Sequence, residues 1–141
     1  MKRILAIDFG LERVGIAISD ELHIAITPHP TLLYNNPNFW QQLINIIKSN
    51  NIGSVVIGVP YEENEEHPLC QHIEKFQTIL QNFFNDEKIN IPIYHQDESF
   101  TSIEAMNVMI EIGKKKKQRA KKGNKDKVAA VLILRNFMET I

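Results

Sequence analysis

Short apolar runs of strand-forming residues alternate along the chain with stretches in which apolar residues recur at helical spacing. Arg3-Ile4-Leu5-Ala6-Ile7-Asp8 and Val14-Gly15-Ile16-Ala17-Ile18 are runs of the first kind, and the turn-like Phe9-Gly10-Leu11-Glu12-Arg13 between them predicts a hairpin. Residues 22–33 supply a third strand, which Pro28 and Pro30 restrict to an edge or interrupted position. After Pro37 the spacing of Trp40, Leu43, Ile44 and Ile47 predicts a helix over one face of a sheet, ending between Asn50 and Gly53. Ser54-Val55-Val56-Ile57-Gly58-Val59 reads as a strand buried on both faces, which favours a parallel partner and a crossover helix, and Pro60 closes it.

A polar stretch, Tyr61 to His67, leads to Pro68 at the first turn of a helix whose stripe is Leu69, Ile73, Phe76, Leu80 and Phe84. Ile91-Pro92-Ile93-Tyr94-His95 is a further strand. Thr101 and Glu104 have capping-box spacing, and the helix they open continues through Ala105, Val108, Met109 and Ile112 to a stop at Gly113. A basic segment follows, and after it a last helix places Ala130, Ile133, Leu134, Phe137, Met138 and Ile141 on one face. A hairpin followed by alternating helices and strands implies an α/β domain over residues 1–141. Its mixed sheet combines an N-terminal antiparallel meander with parallel strands and is flanked by helices. Repeats, linkers and low-complexity segments are absent from the sequence.

Apolar residues make up 43% of the 141 residues and are interleaved with charge, the balance of a globular protein rather than a disordered one. No run approaches the roughly 20 apolar residues that span a bilayer, and Asp8 arrives too early for a secretory signal, so a cytoplasmic location without membrane contact is expected. The single cysteine, Cys70, excludes an internal disulfide. Its neighbours His67 and His72 lack the pairwise spacing of a zinc ligand set, and no function is assigned to the three.

Charge is unevenly placed. The formal net charge is -1, but residues 114–127 hold nine of the sixteen Lys and Arg with one acid, while the rest of the chain carries seven bases against sixteen acids. A local excess of +8 suits contact with a polyanion, and it equally suits a solvated loop.

Three acids stand where chemistry is done. Asp8 ends the first strand at a glycine turn, so its carboxylate belongs at the rim of the sheet. Glu98 follows the strand ending near His95 and precedes a helix start, where helix polarity favours negative charge. Asp126 lies four and seven residues before Ala130 and Ile133, both on the apolar stripe, so it faces the sheet near the start of the last helix. An inward acid among other acids is costly unless a cation meets it. Convergent carboxylates are hard oxygen ligands suited to Mg2+ or Mn2+, and two such ions serve phosphodiester hydrolysis. Taken singly, Asp8 reads equally well as a turn residue, Glu98 as a helix-terminus charge and Asp126 as an N-cap.

The chain resembles the YqgF family, also called RuvX or the pre-16S rRNA nuclease family. Asp8-Phe9-Gly10-Leu11-Glu12-Arg13-Val14-Gly15-Ile16-Ala17-Ile18-Ser19-Asp20 resembles its opening D-x-G-x-K-R-x-G-x-A-x-S-D, with Glu12 in place of lysine. Val56-Ile57-Gly58-Val59-Pro60 resembles its V-x-G-x-P strand, Asp97-Glu98 with Thr101 its D-E-R-x-T-[ST] segment, and Asp126 with Ala129-Ala130 and Ile133-Leu134 its D-x-x-A-A-x-x-I-L helix. Ser99 stands in place of arginine, and Tyr61 to Glu66 in place of an N-x-D-G-[ST] loop, which bears on substrate contacts more than on metal binding.

The resemblance implies an RNase H-like fold in which Asp8, Glu98 and Asp126 are catalytic and hold two Mg2+ or Mn2+ ions. It implies 5′-end processing of precursor 16S rRNA in ribosome biogenesis. Gly10, Arg13, Thr101, Lys114, Lys115, Lys116, Lys117, Arg119, Lys121, Lys122 and Lys125 are the expected contacts to structured RNA or branched DNA. The alternatives are Holliday-junction resolution, which would call for a homodimer, and a non-enzymatic nucleic-acid-binding role in transcription. An actin-like ATPase, which also uses Asp-x-Gly after a first strand, needs two lobes that this length does not supply.

Overall fold

The computed structural model describes residues 2–60, 68–97 and 122–141, with the backbone alone for 122–127. Strands β1 (Arg3–Asp8), β2 (Arg13–Ser19) and β3 (Ile26–Leu33) are followed by helix α1 (Phe39–Ser49), strand β4 (Ile52–Val59), helix α2 (Pro68–Asp86), strand β5 (Ile93–Asp97) and helix α3 (Lys122–Met138). The five strands lie in the order β3-β2-β1-β4-β5. The β1–β2 and β2–β3 pairs are antiparallel, whereas β1–β4 and β4–β5 are parallel. The hairpin, the parallel partners of β4 and the edge position of the proline-bearing β3 match the expectation from sequence.

Alternation along β1 sends its side chains into two cores. Leu5 and Ile7 join Ile16, Val55 and Ile57 beneath α1 and α2, while Ile4 and Ala6 join Ala17 and Val56 beneath α3. The central strand therefore reads as an unbroken apolar run, because both of its faces are covered. Phe39, Leu43, Ile44 and Ile47 form the buried stripe of α1, and Ile73, Phe76, Leu80 and Phe84 that of α2. Phe39 takes the core position expected of Trp40, which instead packs edge-on to Phe39 and stacks on Phe83 at 5.2 Å.

Three boundaries differ from expectation. Helix α3 starts at Lys122, inside the basic segment rather than after it, so Lys122 and Lys125 are helical. Lysine is a good helix former, and the apolar stripe marks only where the helix meets the core. At the other end α3 stops at Met138, leaving Ile141 exposed beyond it. Phe9 belongs to the core rather than to an open turn: its ring meets Tyr34 at 5.3 Å and Phe76 at 5.0 Å. The helix expected from Thr101 lies outside the described residues.

The β2–β3 connection is closed by Asp20, whose Oδ1 accepts the N–H groups of Ile24 at 2.7 Å and Ala25 at 3.2 Å. The hydrogen bond from Ile24 leads the effects that hold this carboxyl below its ordinary value.

Candidate functional site

Strand pairing places the ends of β1 and β5 at one pole of the sheet. Ile7 is level with Ile57, and Ile57 with His95, so Asp8 lies level with Gln96 across β4. Their separation is about 10 Å, two strand spacings. Asp97 pairs with Val59 one step further on.

Alternation also fixes the faces. Asp8 continues the series Ile4, Ala6, which packs under α3, and its partner on β2 is Gly15. Gly15 has no side chain to crowd that side of the half-buried carboxylate. On β5, Ile93 packs toward α1 and α2 and His95 hydrogen-bonds Gln77 of α2, whereas Tyr94 meets Phe137 of α3 at 5.4 Å. Asp97 therefore shares the α2 side with Ile93 and His95.

Helix α3 runs with its C-terminus at the opposite pole. Phe137 and Ile141 line a cavity with Lys2, Ile4, Ser54 and Pro92, residues within two positions of the starts of β1, β4 and β5. From Phe137 back to position 126 is about 16 Å of helix rise, and from Ile4 to Asp8 about 13 Å of strand. The helix backbone at Asp126 is thus brought level with the end of β1, on the side of the sheet that Asp8 occupies. Ala130, one turn further along, is fully buried. Because α3 begins four residues before it, Asp126 is not an N-cap.

The end of β1 that carries Asp8 and the helix turn that bears Asp126 accordingly lie at the same pole and on the same side of the sheet. Glu98, Thr101, Lys114, Lys115, Lys116, Lys117, Arg119 and Lys121 lie outside the described residues. Among the described residues no three His, Cys, Asp or Glu side chains gather into a metal-binding group, a set that excludes Glu98 and the side chain of Asp126.

Asp97, part of the D-E pair but not among the expected site residues, lies at the same pole on the α2 side of the sheet, the face opposite that of Asp8. Among the described residues, one of its carboxylate oxygens, Oδ1, is buried without a hydrogen-bond partner. Its position beside Glu98 in the Asp97-Glu98 pair was the available signal. The proposed donor set is made of carboxylates, without histidine or cysteine, and so fits Mg2+ or Mn2+ rather than zinc.

At the same pole Gly10 packs tightly against the turn, where a Cβ would lie 2.5 Å from the Arg13 carbonyl oxygen. Tyr34 donates its backbone N–H to the Glu12 carbonyl at 2.9 Å. Arg13 is thereby presented from a constrained backbone, its guanidinium 3.4 Å from the Glu12 carboxylate.

The family model described as RuvX, Holliday junction resolvase, matches residues 2–140. Relatives named "Putative pre-16S rRNA nuclease" are 36% identical over 141 residues in Amoebophilus asiaticus, covering 99% of this chain and 96% of that one. In Flavobacterium psychrophilum the identity is 37% over 139 residues, covering 98% and 97%. Among solved structures, the Fowlpox virus resolvase in complex with Holliday junction DNA superposes with a TM-score of 0.62 at 14% identity, covering 98% of this chain and 97% of that one. T. thermophilus RuvC bound to a Holliday junction substrate gives 0.60 at 12%, covering 99% and 98%. The shared architecture is the RNase H-like one.

Proposed function

Since the chain belongs to the RuvX family across residues 2–140, we propose that it is a metal-dependent nuclease that cleaves phosphodiester bonds during 5′-end maturation of precursor 16S rRNA. The observation that carries this reading is the placement of Asp8: at the end of the central strand, beside Gly15, level with the first turns of α3 and on the same side of the sheet. That is where an acid on a strand and an acid on a helix can share a cation.

Asp8, Glu98 and Asp126 are the residues that would hold Mg2+ or Mn2+, and the ions would supply charge stabilisation and an activated water for in-line hydrolysis. In sequence Glu98 follows Asp97, the last residue of β5. Asp8 also fixes the position of the pole through its strand, and the aromatic packing of Phe9 keeps that strand end from yielding. Arg13, with Gly10 allowing close backbone approach, holds the phosphate backbone together with Thr101 and the basic series Lys114, Lys115, Lys116, Lys117, Arg119, Lys121, Lys122 and Lys125. Residues 1–141 act as one domain. None of the described helices is long and apolar enough to cross a membrane, and the proposed place of action is the cytoplasm.

Precursor rRNA is preferred to a four-way junction because the relatives that match over nearly their full length are named for it, while the junction-bound structures share little more than the fold. A resolvase would work as a homodimer with two sites. The test incubates the protein and Asp8→Asn with Mg2+ and either a precursor 16S rRNA fragment or a four-way DNA junction. Cleavage of the RNA alone, lost in Asp8→Asn with binding retained, is the expected result. Symmetric cutting of the junction alone transfers the assignment to a resolvase, and binding without cleavage of either leaves a nucleic-acid-binding factor.

A further inference from the structure

Beside the tip of the β1–β2 hairpin lies an open cleft of about 480 Å3, lined by Glu12, Arg13, Leu33, Asn35, Asn36 and Pro37. We propose that this cleft seats an unpaired nucleotide of the substrate strand next to the reacting phosphate, so that the enzyme selects RNA with a single-stranded extension. The inference rests on the nuclease reading given above.

Position comes first. Arg13 and Leu33 face each other across β2 and β3. Leu32 packs into the core under α1 and α2, so alternation turns Leu33, the last residue of β3, to the other side of the sheet, the side of Asp8; Asn35 lies in the turn that follows and lines the same cleft. Arg13 lies two residues beyond Gly15, the partner of Asp8. One strand spacing sideways and two residues along make a Cα separation of about 8 Å from Asp8. A strand whose phosphate reached Asp8 would therefore run directly into the cleft.

The lining suits a nucleotide. Arg13 offers a planar guanidinium to a phosphate or to the face of a base. Its neighbour Glu12 is 74% exposed, and their 3.4 Å contact is a surface ion pair of small worth that a phosphate can displace. Leu33 is 55% exposed, an apolar seat on the rim of an otherwise polar opening. The exposed carboxamide of Asn35 has no hydrogen bond among the described residues, leaving a donor and an acceptor for a base edge or ribose. Asn36, by contrast, is occupied: its Oδ1 accepts the Asn38 N–H at 2.8 Å, which fixes the wall of the cleft.

Size decides between strand and duplex. A cleft of this volume accepts a ligand of small-molecule size. Sequence-selective contact with RNA is made to splayed, unpaired bases rather than to a paired helix. Trp40, the one tryptophan, follows the cleft-lining Pro37 by three residues, packs with its ring 6.4 Å from that of Tyr34, and provides an intrinsic reporter.

The experiment titrates the protein with a blunt RNA duplex and with the same duplex carrying a short 5′ or 3′ single-stranded extension, in Ca2+ to hold off cleavage, following Trp40 emission and anisotropy of a labelled strand. The expected result is about tenfold tighter binding of an extended duplex, the worth of about one hydrogen-bonded contact, with a change in Trp40 emission that the blunt duplex does not give. Asn35→Ala and Leu33→Ala, both at exposed positions, should erase that preference and, because neither adds a charge beside Arg13, leave blunt-duplex affinity within about twofold. Equal binding of blunt and extended duplexes by the wild type, or an unchanged preference in both variants, overturns the proposal while leaving the nuclease reading intact. Failure to bind any RNA overturns both.

Discussion

Gly10→Ala tests the claim that the hairpin turn holds the pole of the sheet in place. The added methyl would lie 2.5 Å from the Arg13 carbonyl oxygen, so the turn must open by about 0.9 Å to reach an ordinary 3.4 Å contact. The obstacle is backbone, and it cannot swing aside. Arg13 is paired with Leu33, Glu12 is tied to Tyr34, and Phe9 is wedged between Tyr34 and Phe76. Overpacking of this kind costs about 1–3 kcal/mol, equivalent in a chain of this size to a fall of about 3–10 °C in Tm. A displacement near 1 Å beside the reacting groups is also enough to slow catalysis by about 100-fold. Gly53→Ala is the matched control, because its Cβ would meet the Lys2 Cβ at 2.4 Å at the opposite pole, where β4 begins. Thermal unfolding and single-turnover cleavage of a precursor 16S rRNA fragment are measured for both, well below either Tm. Both variants should lose stability, and Gly10→Ala alone should lose rate. Equal losses of rate in the two, or an unaltered rate in Gly10→Ala, would refute the reasoning.

Phe76→Ala removes a fully buried ring that touches Phe9, Tyr34, Phe39 and Trp40. It should cost about 3–5 kcal/mol, read as a lowered urea midpoint; a loss below 1 kcal/mol would mean that the cluster closes over the gap. Asp20→Ala removes an acceptor whose folded-state pKa is lowered, chiefly by the Ile24 N–H. A depressed acid stabilises the fold above its unfolded value, so the deficit of the variant should be full at neutral pH and close as pH falls through the folded value. A gap in Tm that stays constant down the acid limb would contradict this. Replacing Lys114 to Lys117 by glutamine should weaken RNA binding and lower the slope of log K against log salt by about 0.7–0.9 for each phosphate that is no longer neutralised; an unchanged slope assigns those lysines to solvent.

The mixed sheet was legible because the two periodicities are clean where packing is clean. β1 carries four buried residues in a row, as a strand covered on both faces must, and the prolines of β3 restrict it to an edge or interrupted position, of which it takes the edge. Legibility failed where a signal belongs to the neighbour and not to the residue. Phe9 reads as part of a glycine turn until Tyr34 and Phe76 are seen to enclose it. The start of α3 is hidden because lysines extend a helix without marking its face. Leu33 carries no motif at all; only the register of β2 with β3 puts it on the side of Asp8.

The early start of α3 changes what the basic segment can do. Positions 122, 126 and 130 follow one another at one-turn intervals on the same helix, and Ala130 is fixed in the core against β1 and β2. A cationic position, an acidic position and a buried anchor are therefore joined by helix backbone, not by a loop that could fold either way. On the proposed reading, a phosphate drawn to the lysine positions at the head of α3 would come within one or two turns, about 5–11 Å, of the helix position that lies level with Asp8. Net repulsion from an otherwise acidic body would then be overcome locally, at the end of the sheet that carries Asp8 and the head of α3.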